Sequence, residues 1–307
     1  MTCSILCSVK TYFDVNFYVL NTCILDMKLT GEGTFGKVYK NGSHAIKVCP
    51  VDQTCYQREV EICNIIKMKP HHNIIKIVDS YTEINKNYII MKYVPHTLQT
   101  FIHKLTSSGL RMKKVVAVGI LHGLASALEF LRTLNIVHRD IKPSNILIEN
   151  NECKLCDFGS AKVLSDNANT TYIVTRFYRA PELILDRYYM FEVDMWSYGC
   201  VAAEIALGQP LFQGENNVSQ LCSIIKAIGI NHDSLHCLKG REDIDCKFPK
   251  HNGQSWKRIL SVIYKGRSCN VSYGTNFENL LGNVLLWNPT MRLTPSEILK
   301  HEFITST

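Results

Sequence analysis

The sequence predicts an α+β protein of two unequal lobes, a small β-rich lobe with one main helix followed by a larger, mainly α lobe. Between Leu25 and about Met91, short apolar segments alternate with polar residues at period 2 around a single stretch of helical period. Beyond Pro95 the apolar residues recur every three to four positions. A length of 307 residues is more than one ordinary core needs and suits two cores of different size. In order, strand segments are expected over 29–39 and 44–48, a helix over 56–68, and strands over 74–78 and 88–91. Residues 40–43 alone link two of these strands, a short hairpin. Amphipathic stretches over 98–105, 114–134, 193–207 and 218–228 supply the helices of the larger lobe. Residues 230–275 lack periodicity and read as a loop-rich insertion before a last helical unit ending at Phe303. The expected division is an extension over 1–24, the small lobe over 25–91, a connector over 92–95 and the large lobe over 96–307.

Composition removes several function classes. A hydrophobic content of 46% with 20% charged residues excludes a disordered or fibrous chain. Thirteen cysteines scattered without framework spacing suit free thiols in a reducing compartment, so a cytoplasmic or nuclear location is expected. The apolar N-terminal stretch is broken by Lys10, Asp14 and Asn16 well short of the ~20 residues a membrane span needs. The net charge of +7 is dispersed, with no basic run interleaved with aromatics, so neither nucleic acid nor a membrane is an expected partner. Cys153 and Cys156 have zinc-ligand spacing but no second pair, and read as buried strand thiols.

The chemistry lies in an ordered set of motifs. Residues 31–38, G-E-G-T-F-G-K-V, set Gly31, Gly33 and Gly36 around Glu32, Thr34 and Phe35 and close on Val38. Missing side chains there let backbone N–H groups approach phosphate oxygens, although such glycines also mark ordinary tight turns. Farther on, H-A-I-K ends an alternating strand on Lys47, whose ammonium can reach nucleotide phosphates. The next helix carries R-E-V-E-I-C, in which a carboxylate can pair with Lys47; Glu59 is assigned that role and Glu61 a solvated face. The most specific stretch is V-H-R-D-I-K-P-S-N-I-L, on a loop because Pro143 precludes continuous helix. Asp140 would orient a substrate hydroxyl and accept its proton, Lys142 would neutralise charge on the transferring phosphoryl group, and Asn145 would bind a metal ion. In L-C-D-F-G-S-A-K, Asp157 would hold Mg²⁺ on the nucleotide phosphates, with Phe158 packed beside it. R-A-P-E follows at 179–182.

These motifs, in this order and spacing, resemble the eukaryotic protein kinases from about Leu29 to Phe303. The resemblance implies the bilobal protein kinase fold, ATP and Mg²⁺ as cofactors, and protein substrates. It places Ala45 and Leu147 on either side of the adenine, Met91 at the back of the nucleotide site, and Lys92, Tyr93 and Val94 in the connector. It also gives Asp194 in D-M-W-S-Y-G the role of anchoring the catalytic loop, and pairs Glu182 with Arg292 of W-N-P-T-M-R-L. Lys142 within D-I-K-P-S-N and Thr175 resemble serine/threonine rather than tyrosine kinases, Thr175 being the hydroxyl that bridges the catalytic aspartate and lysine.

T-R-F-Y-R-A-P-E-L-I-L resembles the branch of cyclin-dependent, mitogen-activated and glycogen synthase kinases, and the insertion with K-F-P-K-H-N-G-Q-S-W fits it. Within the branch, C-K-L-C-D-F-G-S-A-K, Y-V-P-H-T-L, Y-I-V-T-R-F-Y-R and L-G-Q-P-L-F-Q-G look like glycogen synthase kinase-3. That family reads substrates carrying an earlier phosphate four residues beyond the target, and the resemblance maps its three basic side chains to Arg58, Arg139 and Lys162. It maps an activating phosphotyrosine to Tyr172, with Arg176 and Arg179 as its partners, so autophosphorylation there is expected to leave the enzyme constitutively active. Thr170 complicates the picture, because T-T-Y also matches the T-x-Y lip of mitogen-activated kinases, whose phosphothreonine would fill the same basic site from within. A further rival is a non-catalytic scaffold binding partner proteins through its large lobe; intact catalytic positions argue against it.

Overall fold

The structure, a computed structural model, describes residues 27–33, 36–50, 54–83, 86–164, 176–230, 251–261 and 273–306. The extension over 1–24, Thr34 and Phe35 of the glycine motif, Thr170, Tyr172 and Thr175, and most of the 230–275 insertion lie outside them. By contacts the described chain divides into two units. One takes the chain up to Lys69 and again over Lys76–Tyr93; the other takes Pro70–Ile75 and Val94 onward.

In the first unit, β-branched and aromatic residues with one buried face build an antiparallel sheet ordered β1-β2-β3-β5-β4. Its strands are β1 (Lys28–Gly33), β2 (Gly36–Asn41) and β3 (His44–Pro50), then, beyond helix α1 (Thr54–Met68), β4 (Ile77–Glu83) and β5 (Lys86–Lys92). The segment expected over 29–39 is thus two strands folded back at Gly33 and Gly36. Gly36 has φ +124°, and a Cβ there would lie 2.4 Å from the Val48 carbonyl oxygen, so the hairpin admits no side chain at that point. β2 and β3 turn through Gly42 and Ser43, with Asn41 opposite His44. Helix α1 lays Glu59, Ile62, Cys63 and Ile66, one face at helical spacing, on the sheet beside β4 and β5.

The strand expected over 74–78 is displaced. Ile74 bridges Leu155 in the second unit, and Ile75 donates its N–H to the Leu155 carbonyl. The first of these isoleucines therefore extend a different core, and β4 begins only at Ile77.

The second unit starts with α2 (Leu98–Ser107), opened by a Thr97–Thr100 capping box, and α3 (Lys114–Thr133). Length and composition alone would let α3 cross a membrane. Here it is a core helix, burying Ile120, Leu121, Leu124, Leu128 and Leu131. Short pairs follow: β6 (Ile136–Val137) with β9 (Lys162–Val163), and β7 (Ile146–Glu149) with β8 (Glu152–Leu155). Then come α4 (Pro181–Ile184), α5 (Glu192–Leu207), α6 (Asn217–Ile228), α7 (Trp256–Leu260), α8 (Thr275–Val284), α9 (Pro295–Leu299) and α10 (Glu302–Thr305). α5 is buried on all sides from Val193 to Ala206, so it forms the axis of this core. α3 packs on β8, α5, α9 and α10. A β-sheet unit with one helix and a mainly helical unit are the two lobes that the sequence predicts.

Candidate active site

The residues expected at the site fall in both units. In the first, the register of β3 sets Lys47 opposite Val38 on β2 and Ala45 opposite Met91 on β5. Lys47 Nζ lies 2.7 Å from Glu59 Oε1, with both side chains almost fully buried. Such a pair persists only where the geometry is good, because each ion has lost its water. Glu61, two residues on, is exposed on the outer face of α1. Gly31 and Glu32 lie on β1, where Glu32 meets Lys37 of β2 in an exposed ion pair at 3.3 Å. Tyr93 donates its N–H to the Ser43 carbonyl at 2.8 Å, and the boundary between the units falls between Tyr93 and Val94.

In the second unit, Pro143 starts a 3-10 turn over Pro143–Asn145 instead of a helix. That turn brings Asn145 back onto Asp140, donating from Nδ2 to the Asp140 carbonyl at 2.9 Å and to Oδ2 at 3.0 Å. Lys142 Nζ meets the same Oδ2 at 2.8 Å. The other carboxylate oxygen, Oδ1, is buried without a hydrogen-bond partner among the described residues. Burial raises the pKa of Asp140 above the usual carboxylate range, and Lys142 pulls it back. The result is a carboxylate with one oxygen tethered and one without a hydrogen bond among the described residues.

The loop is held from behind. Asp194, at the start of α5, accepts the backbone N–H groups of His138 at 2.7 Å and Arg139 at 2.8 Å. These bonds fix Arg139 at φ +67°, a left-handed conformation that a non-glycine residue keeps only when its surroundings impose it. His138 accepts the Asp140 N–H at Nδ1 and donates from Nε2 to the Cys156 carbonyl, so its ring is neutral. Burial accordingly holds its pKa below the ordinary histidine value. The Cys156 carbonyl precedes Asp157, itself at φ +64°, and Phe158 packs edge-on against His138 at 5.3 Å. The Asp140 loop and the segment that carries Asp157 thus share one imidazole. The sequence reading gave His138 no role.

Leu147 lies on β7, in a bridge to Thr97, and Val94 is buried in the same unit. Arg139 donates from Nε to the Ser160 carbonyl at 2.6 Å and from Nη1 to Tyr189 Oη at 2.7 Å, while Lys162 pairs with Val137, two residues before it, across β6 and β9. Arg58 belongs to α1 in the first unit. Arg176 donates to the Glu215 carbonyl and Arg179 to Asn217 Oδ1 at 3.4 Å. Burial and the neighbouring Arg176 charge lower the Arg179 pKa, the mark of two closely placed cations. Glu182 and Arg292 form a buried two-pronged pair at 2.6 and 2.8 Å. Cys153 is buried on β8, and that burial pushes its thiol pKa up to about 12.

Hard oxygen donors suit Mg²⁺: Asp157 offers a carboxylate, and Asn145, whose Nδ2 is engaged by Asp140, offers its amide oxygen. These two residues of the second unit are a donor set that fits Mg²⁺, and Lys47 of the first unit offers a cation of the kind that binds phosphate.

The family model described as the protein kinase domain matches residues 25–304. Among curated relatives, protein kinase gsk3 of Schizosaccharomyces pombe is 34% identical over 292 residues, covering 90% of this chain and 72% of that protein. Glycogen synthase kinase 3 of Trypanosoma brucei brucei is 33% identical over 300 residues, covering 90% and 81%. Glycogen synthase kinase 1 of Pyricularia oryzae is 33% identical over 296 residues, covering 90% and 71%. With the catalytic loop, its aspartate and the lysine–glutamate pair all formed, the chain belongs to the protein kinase family, among the serine/threonine kinases that are glycogen synthase kinase 3-like.

Proposed function

We propose that this kinase transfers the γ-phosphoryl group of ATP to a serine or threonine of proteins already phosphorylated four residues beyond the target. Asp140 Oδ1 receives the hydrogen bond and then the proton of the substrate hydroxyl, while Lys142 and Asn145 hold Oδ2 and keep the carboxylate from turning. The hydroxyl oxygen bonds to the γ-phosphorus as the β–γ bridge breaks and ADP leaves. Lys47, kept forward by Glu59, orients the nucleotide phosphates. Asp157 and the Asn145 amide oxygen would hold Mg²⁺, which supplies charge neutralisation on the phosphates.

The preference for a primed substrate is supported by Arg139. It is buried at 4% exposure, and its Nε and Nη1 are fixed by Ser160 and Tyr189, so it is a preset guanidinium instead of a solvated charge. A phosphodianion requires several charge-assisted donors on leaving water, and the resemblance to glycogen synthase kinase-3 maps two further basic residues to this role, Lys162 in the same unit and Arg58 in the first. Phosphorylation of Tyr172 is the second part of the proposal, with the Arg176 and Arg179 cations as its partners.

The test compares an S-x-x-x-S peptide with and without phosphate on the second serine, using wild type and Arg58→Ala. The primed peptide is expected to react about tenfold faster or more, from charge-assisted hydrogen bonds of about 1.5–3 kcal/mol each. Arg58→Ala should erase that advantage and leave the unprimed rate unchanged. Equal rates on both peptides sink the proposal, and Thr170 phosphorylation on that enzyme would point to a site filled from within.

A further inference from the structure

The Lys47–Glu59 pair is only as well placed as the helix that carries Glu59. The apolar seat of α1 is a narrow stripe, Ile62, Cys63 and Ile66, and apolar contact is not directional. A small rotation of the helix about its axis would keep much of that burial and withdraw Glu59. Something directional must fix the rotation, and the bulge in β4 supplies it. The register of β4 on β5 shifts between Ile77 and Asp79. In an unbroken strand Ser80 would share the face of Val78; here Val78 is exposed at 39% while Ile77 and Ser80 are both buried. The extra residue turns Asp79 and Ser80 toward the C-terminal half of α1. Lys67 Nζ meets Asp79 Oδ1 at 2.6 Å, the Ser80 N–H donates to the same oxygen at 3.0 Å, and Ser80 Oγ donates to Asn64 Oδ1 at 2.8 Å. Asn64 and Lys67, three apart, lie on one side of the helix.

We infer that Asp79 and Ser80 are positioning residues for phosphoryl transfer, acting through Lys67 and Asn64 to set the rotation of α1 that keeps Glu59 on Lys47. The latch is carried by the chain itself. This role concerns the nucleotide phosphates and holds whether or not substrates are primed.

Steady-state kinetics of the full chain test it, with primed and unprimed peptides in parallel. The Asp79→Asn/Ser80→Ala enzyme is expected to lose about fivefold to tenfold in kcat and to show a raised KM for ATP. Its KM for peptide and its primed-to-unprimed ratio should be unchanged, which separates this failure from failure of the priming proposal. Asn64→Ala, a mild change at an exposed residue, should slow kcat about twofold with the melting temperature unaltered. The charge swap Lys67→Asp/Asp79→Lys should recover most of the rate lost in either single variant, and Glu61→Ala on the outer face of the same helix should cost nothing. A lowered melting temperature with kcat intact in the folded enzyme overturns the proposal in favour of a purely structural role. A charge swap no faster than its single variants overturns it as well.

Discussion

Three carboxyl groups of the second unit differ mainly in what faces them, and one of them should control stability near neutral pH. Asp194 is met by two backbone N–H groups and Asp140 by Lys142 and Asn145, whereas Glu204 on α5 faces the Tyr178 hydroxyl at 2.7 Å and the Cys200 thiol. No cation offsets its burial among these neighbours, and its pKa is pushed up to about 7. A carboxyl with a raised folded pKa binds its proton more tightly in the folded than in the unfolded chain, so its contribution is complete below the unfolded value and is lost as pH climbs to about 7. The loss should reach about 3 kcal/mol. Glu204→Gln keeps an acceptor for Tyr178, so denaturant midpoints from pH 4.5 to 7.5 should fall less steeply in the variant; parallel curves would refute the assignment. The residues that bond donors to acceptors far away in sequence were the illegible ones. Asp140, Lys142 and Asn145 stand in one loop whose proline and spacing disclose it, but Tyr189 reaches Arg139 across 50 positions and Glu204 reaches Tyr178 across 26, with no local signal at either end.

Among the elements, α3 shows how tightly the catalytic unit is assembled. At Gly123 a Cβ would lie 2.6 Å from Asn73 Nδ2 and 2.9 Å from Cys153 Sγ, and that same Asn73 amide donates to the Cys153 carbonyl. Gly123→Ala should therefore destabilise by about 1–3 kcal/mol through overpacking, even though alanine favours a helix interior by about 1 kcal/mol. A raised thermal midpoint would show that β8 yields more readily than its packing suggests. Long elements were readable because apolar periodicity accumulates over many residues: the stretches read at 98–105, 193–207 and 218–228 lie within α2, α5 and α6 and match them closely. The two-residue strands β6 and β9 carry no period at all, and the bulge that shifts β4 arises from pairing with β5.

At the scale of the whole molecule, the residues proposed for catalysis are divided between the two units, Lys47 in the first and Asp157 in the second, so the proposal can be tested by two physically different losses. Lys47→Met and Asp157→Asn should each abolish phosphoryl transfer. Lys47→Met also leaves Glu59 buried without its cation, a loss of about 3–5 kcal/mol expected for a broken buried pair. Hydrogen exchange should then rise through β3, α1 and β5 in Lys47→Met and stay near wild type in Asp157→Asn; equal exchange in both would mean that the pair is catalytic but not structural. The division into a sheet unit and a helical unit was legible from periodicity, whereas the placement of Pro70–Ile75 was not, because an apolar strand segment does not say which core it joins. That excursion bears on the order in which the protein is made. Ile74 and Ile75 leave the ribosome with the sheet, but the Leu155 backbone they bind follows 80 residues after Ile75, about 4–16 s later at ordinary synthesis rates. Through that interval both isoleucines lack their backbone partner, which makes this segment a short-lived handle for chaperones on the nascent chain.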